Sequence, residues 1–339
     1  MRIARPRPPR LRPRPGRLLV AALGLGLLTV AGAVASPVAA NPGGRRCGPA
    51  GPSDLTHDVA GHRYTAALYR PVSAAEGTRW PLVIDLHGLY ADGPSQAALS
   101  RFRELAEGSE RPFLVVEPTG QPGPLGGAGW EIAALDEPLR DDAAYLTRLI
   151  ETMVSEHCAD PRRVYLAGYS NGGIFAAEYA CANPGRVAAV AAVAGFSHLE
   201  GCAGAFPVIV VHGTGDPVVP YDANGESILL TDETPPELAV QLRRGIEPQV
   251  QAAAKAAGCK APPERTALSH DVDRFSWRGC DHGNRFELYR ITGGGHTWPG
   301  APEQPDAELI GATTASIDAT QLAWAFFLRH TGRPQGGHR

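Results

Sequence analysis

The chain has 339 residues, with 32 Lys and Arg against 35 Asp and Glu and a net charge of −3. It therefore lacks the basic excess that nucleic acids and anionic membranes require of a binding protein. No sequence period of roughly 20–50 residues recurs, which argues against a repeat protein.

The N-terminal segment differs from the rest and predicts a secretory signal. Residues 1–17 hold seven Arg and no acidic residue, and the apolar run Leu18–Ala35 follows. Small residues suited to signal peptidase cleavage precede two candidate cleavage sites, one after Ala35 and one after Ala40. A retained membrane anchor is the alternative, because the apolar run is nearly long enough to span a bilayer. We predict that residues 1–40 are removed and that the protein is secreted and extracellular.

Removing the seven Arg of residues 1–40 changes the net charge from −3 to −10. We therefore expect a mature protein that binds neither nucleic acid nor membrane. We also expect it to be a monomer. Residues 41–339 are long enough for one catalytic domain. All six cysteines lie there, which fits disulfides in an oxidising compartment, and Cys259 and Cys280 form one plausible pair.

Short apolar runs bounded by Gly or Pro predict strands, which are in chain order Leu82–Leu86, Phe113–Val116, Val164–Ala167, Val187–Val193, Val208–Val211 and Phe286–Ile291. Amphipathic stretches predict helices over Asp141–His157, in which the first two Asp favour the helix start, and over Asp318–His330. Helical stretches alternate with strands, which predicts an α/β fold with a doubly wound, mostly parallel sheet and helices on both faces. We expect residues 41–55 to form a loose lead-in, Thr331–Arg339 a frayed tail, and residues 222–260 an insertion with a helix that begins at Pro235-Pro236.

Ser170 is the candidate nucleophile. It lies in Gly168-Tyr169-Ser170-Asn171-Gly172, between a predicted strand and the helical stretch Ile174–Cys181. A tight strand-to-helix turn with small flanking residues exposes the hydroxyl and places the helix N-terminus beside a developing oxyanion. A glycine-rich turn without a catalytic role is the alternative.

Two later loops supply the partners that a serine hydroxyl needs, a base and an orienting carboxylate. Asp216 follows the strand Val208–Val211, and His296 lies in a glycine-rich loop after the strand Phe286–Ile291. The order Ser, Asp, His and the position of each residue after a strand match a hydrolase with this serine turn. We therefore predict Ser170 as nucleophile, Asp216 as acid and His296 as base.

The backbone N–H groups of Leu89 and Asn171 are the candidate oxyanion hole. Leu89 follows the first long strand in His87-Gly88-Leu89, and Asn171 follows the nucleophile. His87 precedes Ser170 in the chain, so we interpret it as a structural residue that positions its loop by hydrogen bonds. Trp130, Trp298 and Tyr169 are candidate substrate contacts, with core packing as the alternative.

Four motifs carry a resemblance to a known family: His87-Gly88, Gly168-Tyr169-Ser170-Asn171-Gly172-Gly173, His212-Gly213-Thr214-Gly215-Asp216-Pro217-Val218-Val219-Pro220-Tyr221 and Gly293-Gly294-Gly295-His296-Thr297-Trp298-Pro299-Gly300. Over roughly residues 60–330 the chain resembles the secreted poly(3-hydroxybutyrate) depolymerase and feruloyl esterase family. The resemblance implies the α/β-hydrolase fold and cleavage of polyesters or plant cell-wall aromatic esters, without a metal or organic cofactor. The stretch Leu89–Gly93 lacks the Cys-Gln of many relatives, and no polymer-binding domain is apparent, which favours soluble or oligomeric esters.

We therefore predict a secreted serine ester hydrolase that cleaves hydroxyalkanoate polyester or its oligomers through an acyl-enzyme. A feruloyl or acetylxylan esterase acting on plant cell-wall polysaccharide is the first alternative. An acyltransferase with the same three residues is a second. A non-catalytic secreted binding protein on a hydrolase scaffold is a third, from a different functional class.

Overall fold

The computed structural model describes residues 51–72, 79–135, 140–202, 205–304 and 307–332. The predicted signal peptide lies outside these ranges. Within them the strands are β1 (Gly51–Val59), β2 (His62–Arg70), β3 (Trp80–Leu86), β4 (Leu114–Thr119), β5 (Gln121–Pro122), β6 (Ala128–Gly129), β7 (Ala159–Tyr169), β8 (Ala189–Val193), β9 (Val208–Gly213), β10 (Glu264–Ala267), β11 (Val272–Trp277) and β12 (Phe286–Ile291). The helices are α1 (Gly93–Ser100), α2 (Phe102–Gly108), α3 (Asp142–Glu156), α4 (Asn171–Ala182), α5 (Pro236–Arg243), α6 (Ile246–Ala256), α7 (Ala307–Ile310) and α8 (Ala319–Phe327).

Ten of these strands form one sheet in the order β1-β2-β4-β3-β7-β8-β9-β12-β11-β10. The run from β4 to β12 is parallel throughout. At one edge β2 and β1 pair antiparallel, and at the other edge β11 and β10 do so. The remaining two strands, β5 and β6, form a separate short hairpin. The predicted doubly wound, mostly parallel sheet is confirmed.

Two apolar cores cover the two faces of the sheet. On one face Tyr145 and Leu149 of α3 and Phe175 of α4 join the cluster of buried side chains. On the other face Trp324 and Phe327 of α8 do the same. Most side chains of the central strands are buried because helices cover both sides, and this explains their continuous apolar runs.

Each predicted strand overlaps a strand of the sheet, and Phe286–Ile291 matches β12 residue for residue. The largest extension is in β7, which begins at Ala159 with a polar stretch and an irregular register against β3. The predicted lead-in is wrong for residues 51–55, because they belong to β1. This outer strand is mostly polar and exposed, so it lacks the apolar run on which the prediction relied.

Helix α3 matches its prediction, with Asp141 as N-cap accepting a hydrogen bond from the backbone N–H of Ala144. Helix α8 ends at Phe327, three residues before the predicted end at His330. The last N–H groups bond three residues back instead of four, as His330 does to Phe327, which tightens and ends the helix. Helix α5 begins at Pro236, as predicted.

Two disulfides are described, Cys181–Cys202 and Cys259–Cys280, and Cys158 is disulfide-bonded as well. The pair Cys259–Cys280 was predicted from its spacing and is confirmed. It joins the chain after α6 to the chain before β12 and closes a loop around the hairpin β10–β11.

Candidate active site

Ser170 lies at the turn between β7 and α4, at the carboxyl end of a central parallel strand. Its backbone has φ 53° and ψ −119°, a strained conformation for a residue with a side chain. The turn depends on glycines at points of close backbone contact. A Cβ on Gly172 would overlap the carbonyl oxygens of Leu86 and His87, and a Cβ on Gly195 would overlap that of Ser170.

The three predicted catalytic residues form one chain of hydrogen bonds. Nε2 of His296 lies 2.8 Å from Oγ of Ser170, and Nδ1 of His296 lies 2.8 Å from Oδ2 of Asp216. Because an ionised carboxylate can only accept, Nδ1 carries the proton and Nε2 is left to accept from the serine hydroxyl. The loops after β7, β9 and β12 bring these residues to the same end of the sheet.

Asp216 is 5% exposed, and its carboxylate is fully partnered. Oδ1 accepts the backbone N–H groups of Val218 and Val219, both at 2.8 Å. Oδ2 also faces Nε2 of His212 at 3.1 Å. Burial alone would raise the pKa of this carboxyl, but His296 and the hydrogen bond from His212 outweigh it and hold that pKa well below its usual range. An ionised Asp216 is therefore available to orient His296.

His212 is a site residue that the sequence interpretation did not single out. Its Nε2 lies 2.8 Å from the carbonyl oxygen of Val219 as well as 3.1 Å from Asp216. Since both neighbours are acceptors, Nε2 carries the proton and donates to them. The sequence signal was present, because His212 lies at the end of β9 and four residues before Asp216.

The two candidate oxyanion donors flank Ser170. Asn171 begins α4 directly after the serine, and Gly88, next to Leu89, lies so close that an added Cβ would be 3.3 Å from Cβ of Ser170. In the described ranges, the backbone N–H groups of Leu89 and Asn171 donate to no other protein group. Both groups are thus free to bind an oxygen at Ser170.

His87 holds the loop that carries Leu89, in agreement with its predicted structural role. The backbone N–H of Gly120 donates to Nε2 of His87 at 2.8 Å, so Nδ1 carries the proton and donates to the carbonyl oxygen of Gly88 at 2.7 Å. Burial lowers the pKa of His87, which favours this neutral form.

The three candidate substrate contacts are buried side chains. Trp130 and Trp298 are each 1% exposed and Tyr169 is 7% exposed, so none offers a free face to an ester in this structure. The indole N–H of Trp298 donates to Oγ1 of Thr320 at 3.0 Å. The hydroxyl of Tyr169 donates to the carbonyl oxygen of His296 at 2.6 Å, which ties the serine turn to the histidine loop. Their role in substrate binding stays a prediction.

A buried polar cluster surrounds the carboxylate of Asp142 at the start of α3. Asp141 caps the helix, as predicted, but Asp142 is fully buried and does more than favour the helix start. Its carboxylate accepts the hydroxyl of Tyr64 at 2.6 Å, Nε of Arg140 at 2.9 Å and the backbone N–H of Glu131 at 2.7 Å. This arrangement depends on residues far apart in sequence, so the local pattern did not indicate it.

A cavity of about 410 Å³ that opens to solvent lies beside Asp216, and its lining includes Pro217, Tyr221 and Ile228. The predicted insertion, residues 222–260, contributes Ile228, which is 47% exposed. An apolar side chain is thus available next to the acid side of the site.

Among the described residues, no group of three His, Cys, Asp or Glu side chains lies close enough together to hold a metal ion. A helix with the length and hydropathy to cross a bilayer is not found in those same ranges.

Residues 64–228 match the sequence model of a family described as "Esterase PHB depolymerase". "Putative esterase NocK" of Nocardia uniformis subsp. tsuyamanensis is 27% identical over 265 residues, 73% of this chain and 74% of that protein. "Feruloyl esterase B" of Piromyces equi is 27% identical over 226 residues, 64% of this chain, and the chain spans 39% of that enzyme. Among solved structures, an acetyl xylan esterase from Aspergillus awamori superimposes with a TM-score of 0.51 at 17% identity, covering 72% of this chain and 94% of that one.

The sheet, with its helices on both faces and a serine turn at the end of a central strand, has the α/β-hydrolase fold. Within that class, residues 64–228 match the poly(3-hydroxybutyrate) depolymerase esterase family, and the chain is similar to esterases and feruloyl esterases. The family resemblance of its sequence motifs is therefore confirmed.

Proposed function

We propose that the protein is a secreted serine ester hydrolase that cleaves hydroxyalkanoate polyester or its oligomers. The observation that carries this proposal is the unbroken chain from Asp216 through His296 to Ser170, with both hydrogen bonds at 2.8 Å. The two unpartnered N–H groups of Leu89 and Asn171 beside the serine support it further.

In the acylation step, Nε2 of His296 takes the proton of Ser170 as Oγ attacks the ester carbonyl carbon. The N–H groups of Leu89 and Asn171 bind the oxyanion of the tetrahedral intermediate. As the carbon–oxygen bond of the leaving group breaks, His296 returns the proton to the departing alcohol. Ser170 then holds the acyl group as an ester.

In the deacylation step, a water molecule gives a proton to His296 and attacks the acyl carbon. The second tetrahedral intermediate collapses, the carboxylic acid leaves, and Oγ of Ser170 regains its proton from His296. Asp216 stays ionised throughout and stabilises the imidazolium that forms in each step.

A feruloyl or acetylxylan esterase is the second candidate, and one observation favours it. Tyr90, next to Leu89, is 67% exposed, and its hydroxyl donates to the carbonyl oxygen of Leu125 at 2.7 Å. Its ring lies against Gly127, where an added Cβ would overlap it. A fixed, exposed aromatic ring offers a stacking surface for a phenolic acid or a sugar ring.

The location of the protein follows from chemistry at two places in the chain. The disulfides Cys181–Cys202 and Cys259–Cys280 suit an oxidising compartment. The basic start and apolar run in residues 1–40 suit a removed secretory signal. The proposal includes a single catalytic domain over residues 41–339 that acts as a monomer without a cofactor.

The direct test is Ser170→Ala, with Ser155→Ala as a matched control. Ser155 is an exposed serine of α3, and its hydroxyl donates to the carbonyl oxygen of Glu151. We expect Ser170→Ala to lower kcat on p-nitrophenyl acetate by about 10⁵- to 10⁶-fold and to abolish fluorophosphonate labelling. Full activity of Ser170→Ala would contradict the proposal and would favour a non-catalytic binding protein whose apparent activity comes from a contaminant.

The substrate class is tested by hydrolysis rates of the mature protein on hydroxybutyrate oligomers, methyl ferulate and acetylated xylan. A preference for the oligomers supports the first candidate, and a preference for either of the other two supports the second. Adding an acceptor alcohol separates hydrolysis from acyl transfer, because a transferase would yield a new ester as its main product.

A further inference from the structure

Trp130 is buried between the two backbone segments that carry the free N–H groups. Its indole Nε1–H donates to the carbonyl oxygen of His87 at 2.9 Å. His87 lies two residues before Leu89, and Gly88 between them lies close to Ser170. The indole therefore holds the first of the two segments in place.

The backbone of Trp130 holds the second segment. Its N–H donates to Oδ1 of Asn171 at 2.7 Å, and its carbonyl oxygen accepts Nδ2–H of the same side chain at 3.0 Å. The two bonds close a ring, so the Asn171 carboxamide can neither rotate nor shift without breaking one of them. Asn171 is also the first residue of α4, so the ring fixes the position of the helix N-terminus beside Ser170.

Trp130 is itself anchored to the core. Its ring is stacked on Phe175 of α4, with the two rings 7° from parallel and 5.5 Å between their centres. On either side of Trp130 in sequence, the carbonyl oxygen of Gly129 accepts Arg140 at 3.1 Å and the N–H of Glu131 donates to Asp142 at 2.7 Å. The residue that joins the two segments thus has little freedom of its own.

We propose that Trp130 is a positioning residue that sets the separation of the Leu89 and Asn171 N–H groups and so organises them for the oxyanion. This inference rests on the proposed function, because it assigns those groups to the oxyanion of ester hydrolysis. Donors that are held in place before the reaction need no reorganisation when the charge develops, and this is the source of their effect on the rate. The contribution of Trp130 is therefore expected in kcat and not in substrate affinity.

The first variant is Trp130→Phe, which keeps a ring on Phe175 and removes the indole N–H. Trp324→Phe is the matched control, since Trp324 is a 5% exposed core residue of α8 stacked on Phe113. For Trp130→Phe we expect kcat to fall about tenfold to a hundredfold while KM changes less than about twofold. The Kd of a trifluoromethyl ketone, whose adduct with Ser170 carries an oxyanion, should rise by the same factor.

The second variant is Asn171→Ala, which leaves the backbone N–H of residue 171 intact and removes only the ring of hydrogen bonds. Asn183→Ala is its control, because Asn183 lies at the other end of α4 and its side chain donates to the carbonyl oxygen of Tyr179 at 3.0 Å. We expect kcat to fall in Asn171→Ala and to be retained in Asn183→Ala, with similar losses of Tm in the two variants.

Three results would overturn the proposal. The first is an unchanged kcat in Trp130→Phe. The second is a rise in KM alone, which would indicate a substrate contact. The third is an equal loss of kcat in Trp324→Phe.

A failure of the proposed function is recognised separately, as a wild-type protein no more active than Ser170→Ala. The positioning role then has its own measurement, amide hydrogen exchange of residues 87–91. Faster exchange in Trp130→Phe but not in Trp324→Phe supports the role, and unchanged exchange contradicts it.

Discussion

The centre of the sheet and its edge formed by β11 and β10 each hold a buried aspartate whose pKa lies below its ordinary value, but the neighbours differ. At the centre, two backbone N–H groups and two histidines surround Asp216. At the edge, Asp273 of β11 pairs with Arg265 of β10 at 3.0 Å and with Arg290 of β12 at 2.5 Å. The hydrogen bond from Arg265 is the main cause of the low pKa of Asp273, followed by that from Arg290. A low pKa alone therefore does not distinguish a carboxylate that orients a base from one that joins strands.

The largest difference is expected from removing each charge in turn. Asp216→Asn should lower kcat by about 10⁴-fold, because an amide favours the wrong tautomer of His296 and stabilises its cation poorly. Asp273→Asn should leave kcat unchanged, since its partners hold the sheet edge together and do not touch Ser170. Steady-state kinetics on one aryl ester measures both. A comparable loss of kcat in the two variants would mean that Asp216 has no role in catalysis beyond that of Asp273.

His212 provides a smaller and more specific test. In His212→Phe the second donor to Oδ2 of Asp216 is lost while the ring volume is retained. We expect kcat to fall about tenfold, in line with about 1.5 kcal/mol for a hydrogen bond to a charged group. His212→Gln supplies an N–H of similar reach and should recover part of the loss. If Phe and Gln behaved alike in kcat, the effect would be one of packing and not of hydrogen bonding.

The smallest effect concerns stability at the edge. The pKa of Asp273 is lowered in the folded state, so its contribution is present above the unfolded pKa of about 3.9 and is lost as pH falls through the folded value. Because Arg265 is largely exposed, we expect Asp273→Asn to reduce the free energy of unfolding by less than about 1 kcal/mol at neutral pH. Urea unfolding at pH 7 and pH 3 should show the difference from wild type shrinking at the lower pH. A gap that widened in acid would contradict the assigned direction.

The sequence predicted the features that depend on local pattern. Apolar runs located the central strands, and the residues that follow them, Ser170, Asp216 and His296, were predicted to lie together because parallel strands end on one side of a sheet. Features that depend on distant partners were missed. The burial of Trp130 requires His87 and Asn171, which lie 43 and 41 residues away.

The two outer strands of the sheet, β1 and β10, were missed for a different reason. Strand β1 alternates between half-buried and exposed residues and includes Asp54 and Asp58, so its composition is typical of a loop. Strand β10 has only four residues, and Glu264 and Arg265 are both exposed. Only pairing with β2 and with β11 makes these segments strands.

These two strands end the sheet, and their polarity has a consequence beyond the fold. An outer strand offers unpaired N–H and C=O groups to any other extended chain, which is how sheets join between molecules. In β1 the acidic side chains would repel the same side chains of a second copy, and Pro52 has no N–H to donate. In β10 the exposed stretch is too short to hold a partner. Each end of the sheet is thus protected against edge-to-edge polymerisation.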